Sequence, residues 1–123
     1  MSDMWPEQPV ETPHDRAERE LRWVGVDLDK TLAKNTDFPD FDLLEPIDGA
    51  REAMEKLHRE GWKLIIYTAR PWHDYEKIEN WLLKYNIPHR RIVCGKLFVK
   101  YMIDDRNIEF RGDWEEVLNK IKE

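Results

Sequence analysis

The stretch Trp23-Val24-Gly25-Val26-Asp27-Leu28-Asp29-Lys30-Thr31-Leu32 is an apolar, β-branched run that ends in two carboxylates and a threonine. Side chains two residues apart in an extended segment project to the same side, so we expect Asp27 and Asp29 to lie close together. Like charges at that separation repel unless a cation neutralises them, and magnesium prefers hard oxygen ligands of this kind. The alternative is a strand that ends in a solvated acidic turn. The Asp-x-Asp-x-Thr pattern needs its structural context before one interpretation is favoured.

Three later apolar runs also end in polar residues. They are Leu64–Tyr67 before Thr68-Ala69-Arg70, Ile92–Cys94 before Gly95-Lys96, and Tyr101–Ile103 before Asp104-Asp105-Arg106. Strands that alternate with helices predict a mainly parallel sheet covered by helices, and ligands bind beyond the carboxyl ends of such strands. All four polar segments are therefore expected at one edge of the sheet.

Hydrophobic spacing predicts strands at 21–27, 62–68, 91–94 and 100–104, with helices between and after them. The first helix is indicated by an apolar stripe and a terminal glycine, the second by another stripe that begins near Trp72 or His73, and the third by a capping box. The first helix has the stripe Ala50, Ala53, Met54 and Leu57 and ends at Gly61. The second has the stripe Tyr75, Ile78, Leu82 and Tyr85, with Asn86 as its C-cap. The third has the capping box Asp113 and Glu116 and the stripe Trp114, Val117, Leu118 and Ile121.

Composition indicates one soluble globular domain. The chain has 123 residues, of which 41% are hydrophobic and 37% charged, and no apolar run approaches the ~20 residues of a membrane span. Residues 1–20 are acidic and proline-bearing, so we interpret them as a flexible lead-in to a domain at 21–123. The net charge of −6 argues against bulk nucleic-acid binding.

Cysteine content and the amino-terminal sequence favour a reducing cytoplasm. The single cysteine, Cys94, falls in a candidate buried strand and predicts no intrachain disulfide. The amino terminus has no signal-peptide pattern, and no membrane association is expected.

The four polar segments together resemble the signature motifs of the haloacid dehalogenase superfamily of phosphohydrolases, over residues from about 21 to about 107. Asp27–Thr31 is similar to the first motif and Thr68 to the second. Lys96, eight residues before Asp104, is similar to the third, and Asp104-Asp105 to the fourth. Lys100 is the alternative for the third motif, because Leu97 replaces the proline that often follows the motif's lysine.

The resemblance implies that Asp27 attacks a phosphoryl group and forms an aspartyl-phosphate. Asp29 would protonate the leaving alcohol and then activate water. Lys96 would stabilise the nucleophile's charge and that of the transition state. The Thr68 hydroxyl, the backbone N–H groups of Leu28, Asp29 and Ala69, and the Arg70 side chain form the expected substrate-binding set.

The resemblance also implies Mg²⁺ as the cofactor, held by Asp27, the backbone carbonyl of Asp29, and Asp104, with Asp105 as a ligand through water or as an orienting group. Dehalogenase members lack an aspartate at the position of Asp29, so its presence favours phosphate-ester hydrolysis or phosphoryl transfer.

The resemblance predicts a Rossmann-like three-layer α/β sandwich without a cap domain, because the intervals between the motifs are too short to contain one. An open site suits a phosphorylated small molecule, a macromolecular end, or a substrate enclosed by a neighbouring subunit of a homo-oligomer. The acidic loop at 37–45 is a candidate partial lid. Trp72 and His73 either contact the leaving group or lie on the surface.

Two other function classes remain as alternatives. A receiver-like phospho-acceptor domain has a similar size and similar residues, but its adjacent acid pair comes first in the chain, whereas Asp104-Asp105 comes last here. A non-catalytic binding or scaffold protein on the same fold is the second alternative. Such proteins normally lose the nucleophile, the acid–base residue or the lysine.

Overall fold

The computed structural model describes residues 12–35 and 42–121, and its centre is a parallel sheet of three strands. The strands are β1 (Trp23–Val26), β2 (Lys63–Tyr67) and β3 (Arg91–Val93), in the order β1-β2-β3. Val26 is paired with Ile66, and Ile66 with Ile92. This register brings the carboxyl ends of the strands to one edge of the sheet, as the sequence predicted.

Four α-helices accompany the sheet in the described part of the chain: α1 (Pro13–Arg22), α2 (Ala50–Arg59), α3 (Tyr75–Lys84) and α4 (Trp114–Lys120). A single 3₁₀ turn, Trp72–Asp74, precedes α3. Helix α2 connects β1 to β2, and α3 connects β2 to β3. The strand order β1-β2-β3 runs in one direction along the sheet. Two right-handed crossovers in such a sheet place α2 and α3 on the same face.

The hydrophobic core lies between this face and the helices. The predicted stripe of α2 is fully buried, as are Ile78 and Leu82 of α3. These side chains pack with Val26, Leu64 and Ile66 of the sheet and with Cys94, which confirms the prediction that this cysteine is a core residue. Each interval between strands holds one α-helix in the described residues, so the α/β class without a cap domain is confirmed.

Helix α4 is attached to the loop that follows β1. The Trp114 indole N–H donates a 2.9 Å hydrogen bond to the Thr31 carbonyl. The Asp113 carboxylate caps the helix by accepting from the Glu115 N–H at 2.9 Å. Only half of the predicted capping box is seen, because Glu116 Oε1 is buried without a hydrogen-bond partner among the described residues. It lies 3.8 Å from Lys120 Nζ instead.

The amino-terminal region differs from the prediction. Helix α1 covers ten residues from Pro13, where the sequence indicated a flexible lead-in with at most one helical turn at 17–21. Proline fits the first turn of a helix, and the segment that follows it contains three arginines and two glutamates, which favour helix. Residues 1–11 of the predicted lead-in lie outside the described residues.

The predicted strand at 100–104 is absent, and no helix or strand occurs from 94 to 113. A strand requires a neighbour for its backbone groups, and the side chains at 97–109 are all exposed. Within the described ranges β1 pairs only with β2, so its other edge is open.

None of the helices that the structure describes is both long enough and apolar enough to cross a membrane.

Candidate active site

The loop after β1 is a tight turn built around one carbonyl. The Leu28 carbonyl accepts hydrogen bonds from the N–H groups of Leu32 and Ala33, both at 2.9 Å. Lys30 takes a left-handed conformation, with φ of 67°. The Leu28 side chain is completely buried beneath the turn. The turn therefore fixes the backbone around Asp27, which directly follows β1.

Asp27 lies between a cation and a hydroxyl. Lys96 Nζ is 3.8 Å from Asp27 Oδ1, and the Thr31 hydroxyl donates to Oδ2 at 3.4 Å. Burial raises the pKa of the Asp27 carboxyl above its ordinary value, while the Lys96 charge and a hydrogen bond from the Leu28 backbone oppose the rise. The nearby Asp29 charge raises this pKa further. The two aspartates are therefore close enough to interact, as predicted.

Asp29 is held by the guanidinium of Arg70. Arg70 Nε donates to Asp29 Oδ2 at 2.9 Å, and the terminal Nη2 donates to Oδ1 at 2.8 Å. This bidentate hydrogen bond raises the pKa of Arg70. The Arg70 side chain is 10% exposed, and its other terminal nitrogen lies 3.6 Å from Asp74. Arg70 was predicted to bind substrate, and its contact with Asp29 is a finding of the structure.

Thr68 and Lys96 are fixed by backbone hydrogen bonds that continue the pairing of β2 and β3 beyond the strand ends. The Thr68 N–H donates to Val93, the Lys96 N–H to Thr68, and the Gly95 N–H to Arg70, each at 2.9 Å. Thr68 is buried, and its Oγ1 accepts from the Arg70 N–H at 3.1 Å. These bonds hold Thr68 and Lys96 at a fixed distance from each other.

Of the two candidate lysines, Lys96 is the one that lies beside Asp27. Lys96 contacts Asp27 and also lies over the ring of Tyr67, 5.3 Å from its centroid. Lys100 instead lies over its neighbour Tyr101, with 5.6 Å from Nζ to the centroid. We call Asp27–Thr31, Thr68–Arg70 and Gly95–Lys96 the three-motif cluster.

The fourth-motif segment, residues 97–109, does not join the cluster. Asp104 Oδ1 accepts from the Arg106 N–H at 2.9 Å, and the Asp105 side chain is 88% exposed. Across residues 12–35 and 42–121, no three histidine, cysteine or acidic side chains are grouped as metal ligands would be. The described residues therefore give no support to the predicted placement of Asp104 and Asp105 beside Asp27 and Asp29, which stays a prediction. The predicted strand that would carry them, at 100–104, is absent.

The rim of the cluster carries Ala69 and the side chains of the 3₁₀ turn. Ala69 and Trp72 are exposed, and His73 is a surface residue whose Nε2 lies 3.5 Å from Asp74 Oδ1. The sequence reasoning missed Asp74. The sequence nevertheless indicated its contact with Arg70, because Asp74 follows Arg70 by four residues, a spacing at which opposite charges meet on a helical turn.

The cluster combines a partly buried carboxylate beside an ammonium group, a second carboxylate held by a guanidinium, and a buried threonine. Such an arrangement at the carboxyl edge of a parallel sheet is suited to an anionic substrate. The first carboxylate can serve as a nucleophile, the second can transfer protons, and the cations can offset the substrate's charge.

Comparison with known proteins supports the fold. No known protein family matches the chain by its sequence profile, and no curated protein sequence matches it. A crystal structure of a Vibrio cholerae protein is similar, with a TM-score of 0.59 and 25% identity over 80% of this chain and 98% of that one. A conserved protein from Bacteroides thetaiotaomicron has a TM-score of 0.56 and 23% identity over 77% of this chain and 84% of that one.

Proposed function

We propose that this protein is a phosphomonoester hydrolase of the haloacid dehalogenase type, acting through an aspartyl-phosphate at Asp27. The observation that carries the proposal is the three-motif cluster itself. Residues from three separate parts of the chain, Asp27, Thr68 and Lys96, meet at the carboxyl edge of the sheet, with Arg70 joined to Asp29 beside them. Chance placement of this chemistry at one edge is a weaker explanation than a common role.

In the first step an Asp27 oxygen bonds to phosphorus while the ester P–O bond breaks, and the departing alcohol takes a proton from Asp29, one oxygen of which must first leave the Arg70 guanidinium and be protonated. In the second step water attacks phosphorus, Asp29 takes the water proton, and the bond to Asp27 breaks to release phosphate. Lys96 offsets the charge of Asp27 as the dianionic phosphoryl group approaches. The Thr68 hydroxyl and the backbone N–H groups of Leu28, Asp29 and Ala69 hold the phosphoryl oxygens.

Arg70 orients the Asp29 carboxylate in this account. Two parallel N–H···O bonds fix the carboxylate in a plane, as a single contact would not. Asp74 contacts the same guanidinium at 3.6 Å, which helps to hold the Arg70 side chain in place.

Magnesium belongs to the proposal because the candidate donors are all oxygen atoms. Asp27, the Asp29 carbonyl, Asp104 and Asp105 would hold the ion, which would offset negative charge and polarise the phosphoryl group when bound. Asp27 and Asp29 follow β1, whereas Asp104 and Asp105 are exposed on the fourth-motif segment. Completion of the site requires the fourth-motif segment to approach β1, whose outer edge is open among the described residues.

The absence of a cap domain from the described chain supports a substrate that an open site can accept. A small phosphomonoester or the phosphorylated end of a larger molecule fits this description, and a cytoplasmic enzyme remains our proposal. The loop proposed as a partial lid covers residues 37–45, and residues 37–41 of it lie outside the described residues.

A non-catalytic binding protein is the second candidate, and one observation favours it. Asp104 and Asp105 are exposed on the fourth-motif segment rather than placed beside Asp27. A protein that kept the cluster for binding phosphate alone would not need those two acids at the site.

Hydrolysis of an aryl phosphate separates the two candidates. We expect turnover in the presence of Mg²⁺, loss of turnover in excess chelator, and recovery when Mg²⁺ is restored. Phosphate binding without turnover at any Mg²⁺ concentration would support the binding protein and reject the enzyme. Undiminished turnover in chelator would reject the metal requirement alone.

A further inference from the structure

An aromatic pair stands on the 3₁₀ turn that leaves the second motif. The rings of Trp72 and Tyr75 are stacked, with centroids 6.2 Å apart and an interplanar angle of 14°. Trp72 is nevertheless 57% exposed and Tyr75 37% exposed. The two rings therefore support one another while part of their surface faces solvent. We call Trp72 and Tyr75 the aromatic shelf.

The aromatic shelf lies against the loop that carries the third-motif lysine. A Cβ built on Gly95 would lie 3.5 Å from Trp72 Nε1, so the indole edge is in contact distance of this backbone. Gly95 immediately precedes Lys96, and its N–H bonds to the Arg70 carbonyl. Trp72 is therefore beside the residues expected to hold the phosphoryl group.

The turn that presents Trp72 is also held in place. The Asp74 N–H donates to the Pro71 carbonyl at 3.0 Å, and the Asp74 carboxylate contacts the Arg70 guanidinium at 3.6 Å. An isolated exposed aromatic residue is common on protein surfaces and needs no function. A supported pair at the rim of an anion-binding cluster is better explained by contact with a ligand.

We propose that the aromatic shelf binds the leaving group of the substrate by stacking, and that the substrate is a small phosphomonoester with a planar heteroaromatic ring, such as a nucleoside monophosphate. This inference rests on the proposed hydrolase function. Base–aromatic stacking tolerates different bases because every base has a π-face. The net charge of −6 favours a mononucleotide over a long nucleic acid, whose binding depends on many phosphate contacts.

The test compares a nucleoside 5′-monophosphate with glycerol phosphate, which has the same phosphoryl group and no ring. Trp72→Leu should raise KM for the nucleotide by about 5- to 100-fold, the range expected for loss of one stacking contact. KM for glycerol phosphate and kcat for both should stay close to those of the unmodified protein. Trp72→Phe keeps a ring and should restore most of the affinity.

Leu83→Ala is the matched control, because Leu83 is 62% exposed on α3 and is not part of the aromatic shelf. Equal effects of Trp72→Leu on both substrates, or no effect on either, would overturn the inference while leaving the hydrolase proposal intact.

A calorimetric measurement of nucleotide binding separates this inference from the hydrolase proposal. If neither substrate is turned over but nucleotide binding still weakens in Trp72→Leu, the hydrolase proposal fails and the aromatic shelf stands. If the nucleotide and glycerol phosphate bind equally and Trp72→Leu changes neither, the shelf is rejected as well.

Discussion

The three-motif cluster and the fourth-motif segment carry comparable acidic and basic residues, yet only the first is built into the fold. In the cluster, backbone hydrogen bonds continue from β2 and β3 through Thr68, Gly95 and Lys96. In the fourth-motif segment there is no helix or strand, and Phe98 is 85% and Ile103 99% exposed.

This difference teaches that the sheet positions Asp27, Thr68 and Lys96 without help from the fourth-motif segment. Buried strands specify the backbone at their own ends, whereas residues 97–109 are exposed and belong to no helix or strand. Large apolar side chains that remain in water forgo the free energy that burial would supply. A contact that buries them would therefore be favourable, and the open edge of β1 is the place where a further strand can pair.

The largest expected effect comes from breaking the cluster at its centre. Asp27→Asn should lower the turnover of every substrate by at least roughly 10³-fold, because an amide keeps the shape but not the nucleophile. Steady-state kinetics and circular dichroism would show the lost rate with an intact fold. Asp48→Asn, at an exposed acid before α2, is the matched control, and near-normal rates in Asp27→Asn would reject the covalent mechanism.

The next effect tests whether the fourth-motif segment joins the cluster. Asp104→Asn should raise the Mg²⁺ concentration for half-maximal activity by about 10-fold or more, since a ligand is lost. Asp105→Asn should have the smaller effect. A Mg²⁺ titration of activity measures both. An unchanged Mg²⁺ requirement in Asp104→Asn would mean that the segment takes no part in the site.

A moderate effect is expected where Arg70 holds Asp29. Arg70→Lys should reduce kcat by about 10- to 100-fold, because lysine keeps the charge but does not form the bidentate contact. The loss should be greater for alkyl phosphates than for aryl phosphates, whose leaving groups need less protonation. Arg51→Lys is the control, because it alters a single arginine–carboxylate contact on the surface of α2 and should leave kcat unchanged for both substrate types. An equal loss of kcat for alkyl and aryl phosphates would argue against a role of Arg70 in orienting Asp29.

The smallest effect concerns stability in metal-free buffer. Burial raises the pKa of Asp27 above its ordinary 3.8, so ionisation costs the folded state more than the unfolded state as pH rises through that range. Asp27→Asn should therefore raise the free energy of unfolding at pH 7, by less than about 1 kcal/mol because the side chain is partly exposed. Urea unfolding should show this gain shrinking toward pH 4. If the gain in the free energy of unfolding instead grew as the pH fell, the predicted direction of the Asp27 pKa shift would be contradicted.

The sequence predicted the cluster because its residues come directly after the ends of strands. Val26, Ile66 and Ile92 lie in apolar runs whose ends are clear, and parallel strands align those ends. The same pattern at 101–103 gave the wrong local structure, since an apolar run predicts a strand only where a neighbour pairs with it. The Arg70–Asp29 contact was not predictable, because it joins residues 41 positions apart through side-chain conformations that no local pattern specifies.

The most direct test of the central claim is the trapping of phosphate on Asp27. Asp29→Asn leaves the nucleophile but removes the base for the second step, so an aryl phosphate should give a burst of about one leaving group per protein. Intact-protein mass spectrometry should then detect one phosphoryl group on Asp29→Asn, and peptide mapping should place it on Asp27. Asp27→Asn should show neither the burst nor the phosphoryl group. If the two variants have the same defect with every leaving group and neither is phosphorylated, the assignment of nucleophile and acid–base residue is contradicted.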